Sequence, residues 1–241
     1  MRALYLTALL VACGSPEITI TPPQWQAIEV QGETVPTLPE ASVDTAALRV
    51  VRLIIRRDPV SDQPEWLSGH RHALAFYLEQ LPIETIVIET PWEDTAFYQA
   101  GTAWGELFQN WVLRDFLSFL RPYTGVRYVI FGRELRKAPV PATFWRALLA
   151  SAKAQDTLRW WGISAPHPDS IPAAEAWDIL AIDYQHFYPP HERPAYHRAW
   201  EALQKPLLLL YPNLYEPDTG TALTERLKYW QRPLIAAVGV H

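Results

Sequence analysis

The sequence predicts an α/β fold, a small and trimmed (β/α)8 barrel with short loops and no closing eighth helix. Two observations carry this. Apolar runs of strand length recur at roughly regular spacing, with helical patterns between several of them. Most of the runs are near-continuous Val, Ile, Leu and Ala, as expected of parallel strands covered on both faces. Eight runs alternating with helices point to a TIM-type barrel. An open doubly wound sheet is the alternative, but no Gly-rich turn follows the first run, so the dinucleotide and phosphate fingerprints are missing.

In chain order, the strand candidates are Gln26–Gln31, Arg49–Ile55, Thr85–Glu89, Tyr128–Phe131, Arg159–Ser164, Ile179–Tyr184, Pro206–Tyr211 and Leu234–Val240. Gly69–Leu81 and Thr102–Leu120 read as helices before the third and fourth strands, and Ala142–Ala154 as the helix after the fourth. Arg193–Leu203 and Thr219–Trp230 precede the seventh and eighth. The connection Gly32–Leu48 has room only for a short helix, and no residues follow His241 to form an outer helix after the last strand.

The chain of 241 residues is about half apolar and mildly negative, with no basic cluster. That is enough for one sizeable core and argues against nucleic acid as a partner. Eleven Trp and eleven Tyr suit flat surfaces for sugar rings or protein partners, or plain packing. Met1-Arg2 opens a short positive leader, and Ala3 to Ala12 is an apolar run too short to span a bilayer. It ends in Leu10-Val11-Ala12-Cys13, and Cys13 is the sole cysteine, so neither an internal disulfide nor a cysteine metal site is available. Small residues before a cysteine resemble the bacterial lipoprotein box. The resemblance implies a signal peptide over residues 1–12 and acylation of Cys13 (palmitate included). The polar, proline-bearing stretch that follows reads as an extended tether over residues 13–24, and the remainder, undivided by any Gly/Ser-rich linker, as one barrel over residues 25–241. Gly14-Ser15, without an Asp, leans toward the outer membrane where one exists.

In such a barrel the working face is built from strand C-termini. The first strand offers Glu29 or Gln31, the second Arg56, Arg57 and Asp58, and the third Glu89, Trp92, Glu93 and Asp94. The fourth offers Glu134, then Arg136 and Lys137, and the fifth Ser164 and His167. The sixth offers Asp183, Tyr184, His186 and Tyr188, and the seventh Tyr211, Asn213 and Tyr215. Acids, arginines and stacking rings fit a carbohydrate-sized cleft or a polar protein-binding surface. The histidines are scattered, no metal or other cofactor is expected, and no Gly-x-Ser-x-Gly elbow is present.

Phe131-Gly132-Arg133-Glu134-Leu135 followed by Phe144-Trp145-Arg146-Ala147-Leu148-Leu149 resembles the fourth strand and helix of glycoside hydrolase family 113 and related mannanase-like barrels. Trp177–Tyr184 with Tyr188-Pro189 is similar to that family's sixth strand and Tyr-x-Pro loop, Lys205–Leu210 to its seventh strand, and Trp104–Tyr123 to its helix before the fourth. The resemblance implies a retaining glycosidase with Glu134 as acid/base. Retention needs a second carboxylate ~5 Å away as nucleophile. At the corresponding place this chain carries Tyr211, a phenol with a reference pKa of about 10. Three alternatives stay open: a sialidase-like tyrosine nucleophile, an inward shift of Glu216, or Asp183 acting at an inverting distance of ~6.5–9.5 Å.

The expected function is therefore a lipid-anchored, glycoside-hydrolase-like barrel of the bacterial cell envelope, extracytoplasmic and catalytically impaired. It would act as a carbohydrate- or protein-binding subunit, with Glu89, Trp92, Asp183, Tyr184 and Tyr188 on the substrate side. The alternatives are an active glycosidase of β-linked polysaccharide using Glu134, and a structural subunit of an envelope protein complex. Expected partners are the membrane through the N-terminal lipid, an oligosaccharide, and an envelope protein.

Overall fold

The computed structural model describes residues 23–32, 35–39, 44–58, 60–61, 63–89, 102–132, 141–183, 193–210 and 234–240. Eight parallel strands close into a barrel in sequence order. They are β1 (Gln24–Val30), β2 (Leu48–Ile54), β3 (Thr85–Glu89), β4 (Tyr128–Phe131), β5 (Trp160–Ala165), β6 (Ile179–Asp183), β7 (Leu207–Leu210) and β8 (Ala237–Val240). Closure is made by β1 and β8, which pair from Gln24↔Ala237 to Ala27↔Val240. Among the described residues four helices pack outside: α1 (Ser68–Gln80), α2 (Thr102–Asn110, Trp111–Phe116 and Leu117–Leu120 in succession), α3 (Ala142–Gln155) and α4 (Arg193–Ala202). Between β5 and β6 the described chain makes two short 3-10 turns, Pro168–Ser170 and Ala174–Ala176. The predicted helix Thr219–Trp230 lies outside the described residues.

Strand order and identity agree with the sequence reading, and the differences are at the ends. Arg159, predicted as the first residue of the fifth strand, sits just before it. Its guanidinium donates to the carbonyls of Leu120 and Tyr123 and pairs with Asp156. Each carbonyl, at or just past the end of α2, also accepts a backbone N–H, so Arg159 adds a second bond to both. The middle of α2 is a π-helical turn over Trp111–Phe116, which closes with Leu117 N–H donating to Val112 O five residues back.

The alternation of each strand sorts its side chains into two cores. Ala27, Val50, Val87, Ile130, Ile179, Ala181, Leu208, Leu210 and Val238 fill the barrel interior. Their strand neighbours pack outward against the helices. Most of the described tryptophans belong to that outer layer: Trp111, Trp145, Trp161, Trp177 and Trp200 are buried. Phe131 lies at its centre, with ring centroids 5.5 Å from Trp145, 6.0 Å from Trp161 and 5.8 Å from Trp177. The aromatic excess is thus largely packing between helix and sheet.

Helix α1 begins without a side-chain cap at Leu67, and its third residue supplies one instead. Buried His70 accepts the Leu67 N–H at Nδ1 (3.3 Å), and Nε2 lies 3.2 Å from Ile54 O. An acceptor role on one nitrogen and a carbonyl against the other fit the neutral Nε2–H tautomer. Burial pushes the ring below its usual 6.5, against an opposing contribution from the Ile54 carbonyl. A neutral buried imidazole binds fewer protons than the same group unfolded. Its contribution to stability is complete above about 6.5 and is lost as pH falls through the depressed folded value. Urea unfolding of wild type should therefore weaken between neutral and mildly acid pH, and His70→Gln should flatten that part of the slope. An identical slope in the variant would exclude His70 as its source.

Candidate binding site at the barrel mouth

The strand parity that places Ala27, Val50, Val87 and Ala181 inside also turns Glu29, Arg52, Glu89 and Asp183 inward, two residues nearer the C-terminal end. Ser164 shares the parity of Gly162 on β5. The apolar interior is thus topped by a polar layer, at the end where barrels of this type build their sites.

Arg52 organises that layer. One of its terminal nitrogens lies 2.7 Å from Glu89 Oε2 and the other 3.1 Å from Glu29 Oε2. The remaining Glu29 oxygen accepts from Gln31 Nε2 at 3.0 Å. Three consecutive strands are thereby tied at their C-terminal ends by charge-assisted bonds, which are stronger than neutral ones. Glu89 and Arg52 are mostly shielded, with side chains 20% and 17% exposed, and Glu29 is 43% exposed. Asp183 and Ser164 are buried.

Gly132, one residue past β4, makes room for this network. A Cβ on it would lie 2.5 Å from Glu89 Cγ and 2.9 Å from Ile88 O. The Glu89 side chain therefore passes over the end of β4 only because residue 132 has none.

Several other strand-end residues serve local structure. Arg57 bridges Pro64 in a short antiparallel turn after β2. Within it the Asp58 carboxylate accepts from Val60 N–H and the Ser61 hydroxyl, at 2.8 Å each, and these bonds hold it below the usual carboxylate range. His167 accepts from Asp169 N–H and starts the first 3-10 turn.

Of the sequence-predicted site residues, Glu89 and Asp183 lie inward at this mouth. Glu134, Tyr211, Trp92, Tyr184, Tyr188 and the lipidation candidate Cys13 lie outside the described residues. The sequence reading passed over Arg52 and gave the second strand's contribution to Arg56, Arg57 and Asp58. A signal was present: Arg52 interrupts an otherwise apolar strand two residues after inward Val50, and a charge at such a position needs a partner inside. Among the described residues no cluster of metal-ligating side chains occurs.

No protein-family model matches the chain, and no curated protein does. Solved structures do match. A β-1,4-mannanase of glycoside hydrolase family 113 aligns with TM-score 0.55 over 81% of this chain and 78% of its own, at 12% identity. The chain has a (β/α)8 barrel fold, as these glycoside hydrolases do. A family 113 β-mannanase from Alicyclobacillus acidocaldarius gives TM-score 0.55 over 92% of this chain and 86% of its own, at 10% identity. A calcium-binding mutant of Bacteroides uniformis β-glucuronidase 2 gives 0.52 over 91% of this chain but 31% of its own, at 11% identity. At such identities the likeness concerns the backbone, and substrates do not transfer with it.

Proposed function

We propose that this barrel binds carbohydrate at its mouth without turning it over, as a lipid-anchored component of the bacterial cell envelope. The observation that carries the reading is the Glu29–Arg52–Glu89 network, set in a fold shared with β-mannanases. Polar and charged groups converge above an apolar floor, an arrangement suited to sugar hydroxyls. Both described carboxylates of the network are engaged by Arg52. The sequence offers Tyr211 where the resemblance expects a nucleophilic carboxylate, so Glu134 stands without its retaining partner. Cys13, at the end of an apolar leader, supplies the anchor.

The test compares wild type with Glu134→Gln on β-linked manno- and gluco-oligosaccharides, following reducing-end release and calorimetric binding. The expected result is equal affinity for at least one oligosaccharide and no turnover in either protein. Hydrolysis by wild type that disappears in Glu134→Gln would establish an active glycosidase instead. Absence of binding to every sugar, with co-purification of envelope proteins, would point to a structural subunit. For the anchor, Cys13→Ala is expected to move the protein from the membrane to the soluble fraction, and retention on the membrane would overturn the lipid.

A further inference from the structure

One buried ring holds both ends of a loop on the rim of the mouth. Strand β2 ends at Ile54 and helix α1 begins at Ser68, so the chain between them starts from the C-terminal end of the barrel. It folds back on itself there. Glu65 N–H donates to Arg56 O at 2.7 Å, Asp58 N–H donates to Gln63 O at 2.9 Å, and Arg57 bridges Pro64. His70 closes the base of this hairpin. Its Nε2 meets Ile54 O just before the loop, and its Nδ1 accepts from Leu67 N–H just after it. The entry of the loop is also joined to the polar layer of the mouth, because Ile55 N–H donates to Glu89 O at 2.8 Å.

This closure needs a neutral ring. A proton on Nδ1 turns the acceptor for Leu67 into a second donor facing an N–H. The ring has no exposed surface, so an imidazolium there would be held away from water. Trp66 stacks on one face with centroids 6.1 Å apart, and a Cβ on Gly32 would stand 3.7 Å from Cε1. His70 is also the third residue of α1, where the helix dipole disfavours a cation. Among the described residues Glu65, on the loop itself, is the charge that acts on the ring, and it favours the protonated form. Burial outweighs it. From β2 and the end of β1 the ring meets the backbone of Ile54 and Gly32. From α2 only aromatic rings approach, through Trp66: Trp111, Phe116 and Phe119. Arg71 and His72, next on α1, are exposed.

A released ring takes a proton near the usual value of about 6.5, and the held ring only at lower pH. The open loop therefore binds more protons than the closed one in that window. Opening grows as pH falls below about 6.5, by up to about tenfold per unit, and levels off below the held value. Strand β2 itself is kept in place by parallel pairing with β1 and β3, so the loop is freed before the strand.

We infer that His70 is a proton-operated latch, whose protonation in mildly acid surroundings frees the β2–α1 hairpin from the rim of the mouth while the barrel stays folded. The latch operates whatever the mouth binds, so it stands or falls apart from the carbohydrate reading.

The test is amide hydrogen exchange by mass spectrometry on the full-length protein at about pH 7.5 and about pH 5.5, with rates corrected for the intrinsic pH dependence of exchange. Protection of wild type over the segment from Ile55 to Leu67 is expected to fall about tenfold between the two, while segments from β5 and β6 keep theirs. His70→Gln retains an acceptor oxygen and a donor nitrogen on an amide that does not titrate, so its protection should be the same at both. In wild type, the chemical shifts of the His70 ring nitrogens report its protonation and should change in step with the loss of Leu67 protection. Equal wild-type protection at both pH values overturns the latch. So does an equal fall in His70→Gln, or a ring that stays neutral while the segment opens. A fall that extends to β5 and β6 would be global unfolding and would overturn the local release. The wild-type readings decide even where His70→Gln does not fold.

Discussion

Replacing Arg52 by methionine is expected to destabilise the fold by about 2–4 kcal/mol. Removing one partner of a buried ion pair costs about 3–5 kcal/mol, because the charge left behind has lost its solvent and its counter-ion. The network here is partly open to water, which lowers that figure. For a chain of this size the loss corresponds to a Tm lower by about 5–15 °C. The direction follows from what remains: Glu29 and Glu89, held toward the same cation from neighbouring sides, then face each other without it. The double variant Arg52→Met/Glu89→Gln should therefore regain most of the loss. Arg52→Met/Glu29→Gln should regain less, since Glu29 is more exposed and its contact is longer, 3.1 Å against 2.7 Å. Urea denaturation measures all three. A single variant within about 0.5 kcal/mol of wild type, the range of an ordinary surface substitution, would remove the network from any account of stability. The same variants test the mouth as a binding site, because a sugar held by this layer should bind more weakly to each of them.

Gly162→Ala is expected to cost about 2–3 kcal/mol, as overpacking of a filled core does. Gly162 lies on β5 inside the barrel. A Cβ there would stand 2.6 Å from both Ile130 Cδ1 and Ile179 Cγ2, and 2.9 Å from the Ile179 carbonyl oxygen. The first contact is the tip of a flexible side chain and can swing away. The second is a branch close to its backbone, and the third is the backbone of the neighbouring strand. Relief therefore requires β5 and β6 to separate where Gly162 pairs with Ile179. Ile130→Val in the Gly162→Ala background should recover only a small part of the loss. Gly125→Ala is the control, since its nearest obstacle is 3.8 Å away and the change should be nearly neutral. Equal midpoints for the Gly162 and Gly125 variants would mean that the interior has slack the packing does not suggest.

These two residues also mark how far the sequence could be read. Gly162 sits in a run identified as a strand, but nothing near it in sequence says that Ile130 and Ile179 will press on it from either side. Arg52 is similar: its partners lie 23 and 37 residues away. Its strand was recognised, and its contribution was assigned to the polar cluster after the strand because that cluster is conspicuous locally. His70 looked like one of several scattered histidines until α1 packed under the end of β2. The tryptophans looked as much like a sugar-binding surface as a core, and the packing of helices on the barrel put most of the described ones inside. Helix and strand assignments fared better because they rest on patterns within a window of one or two turns. Their ends shifted by one to three residues, in one case where the Arg159 side chain was drawn to a neighbouring element.

Among the described residues, the sequence by itself determined which segments are strands, which are helices, and the α/β barrel class. Apolar periodicity and β-branched runs are local properties, and eight buried parallel strands in alternation with helices leave few ways to hide both faces of the sheet. Only the tertiary structure decided that Arg52 gathers Glu29 and Glu89 into one layer, that Gly132 lets Glu89 cross the end of β4, and that Ile130 and Ile179 press on Gly162. Each is a contact between strands distant in the chain, and its partners exist only once the barrel has closed.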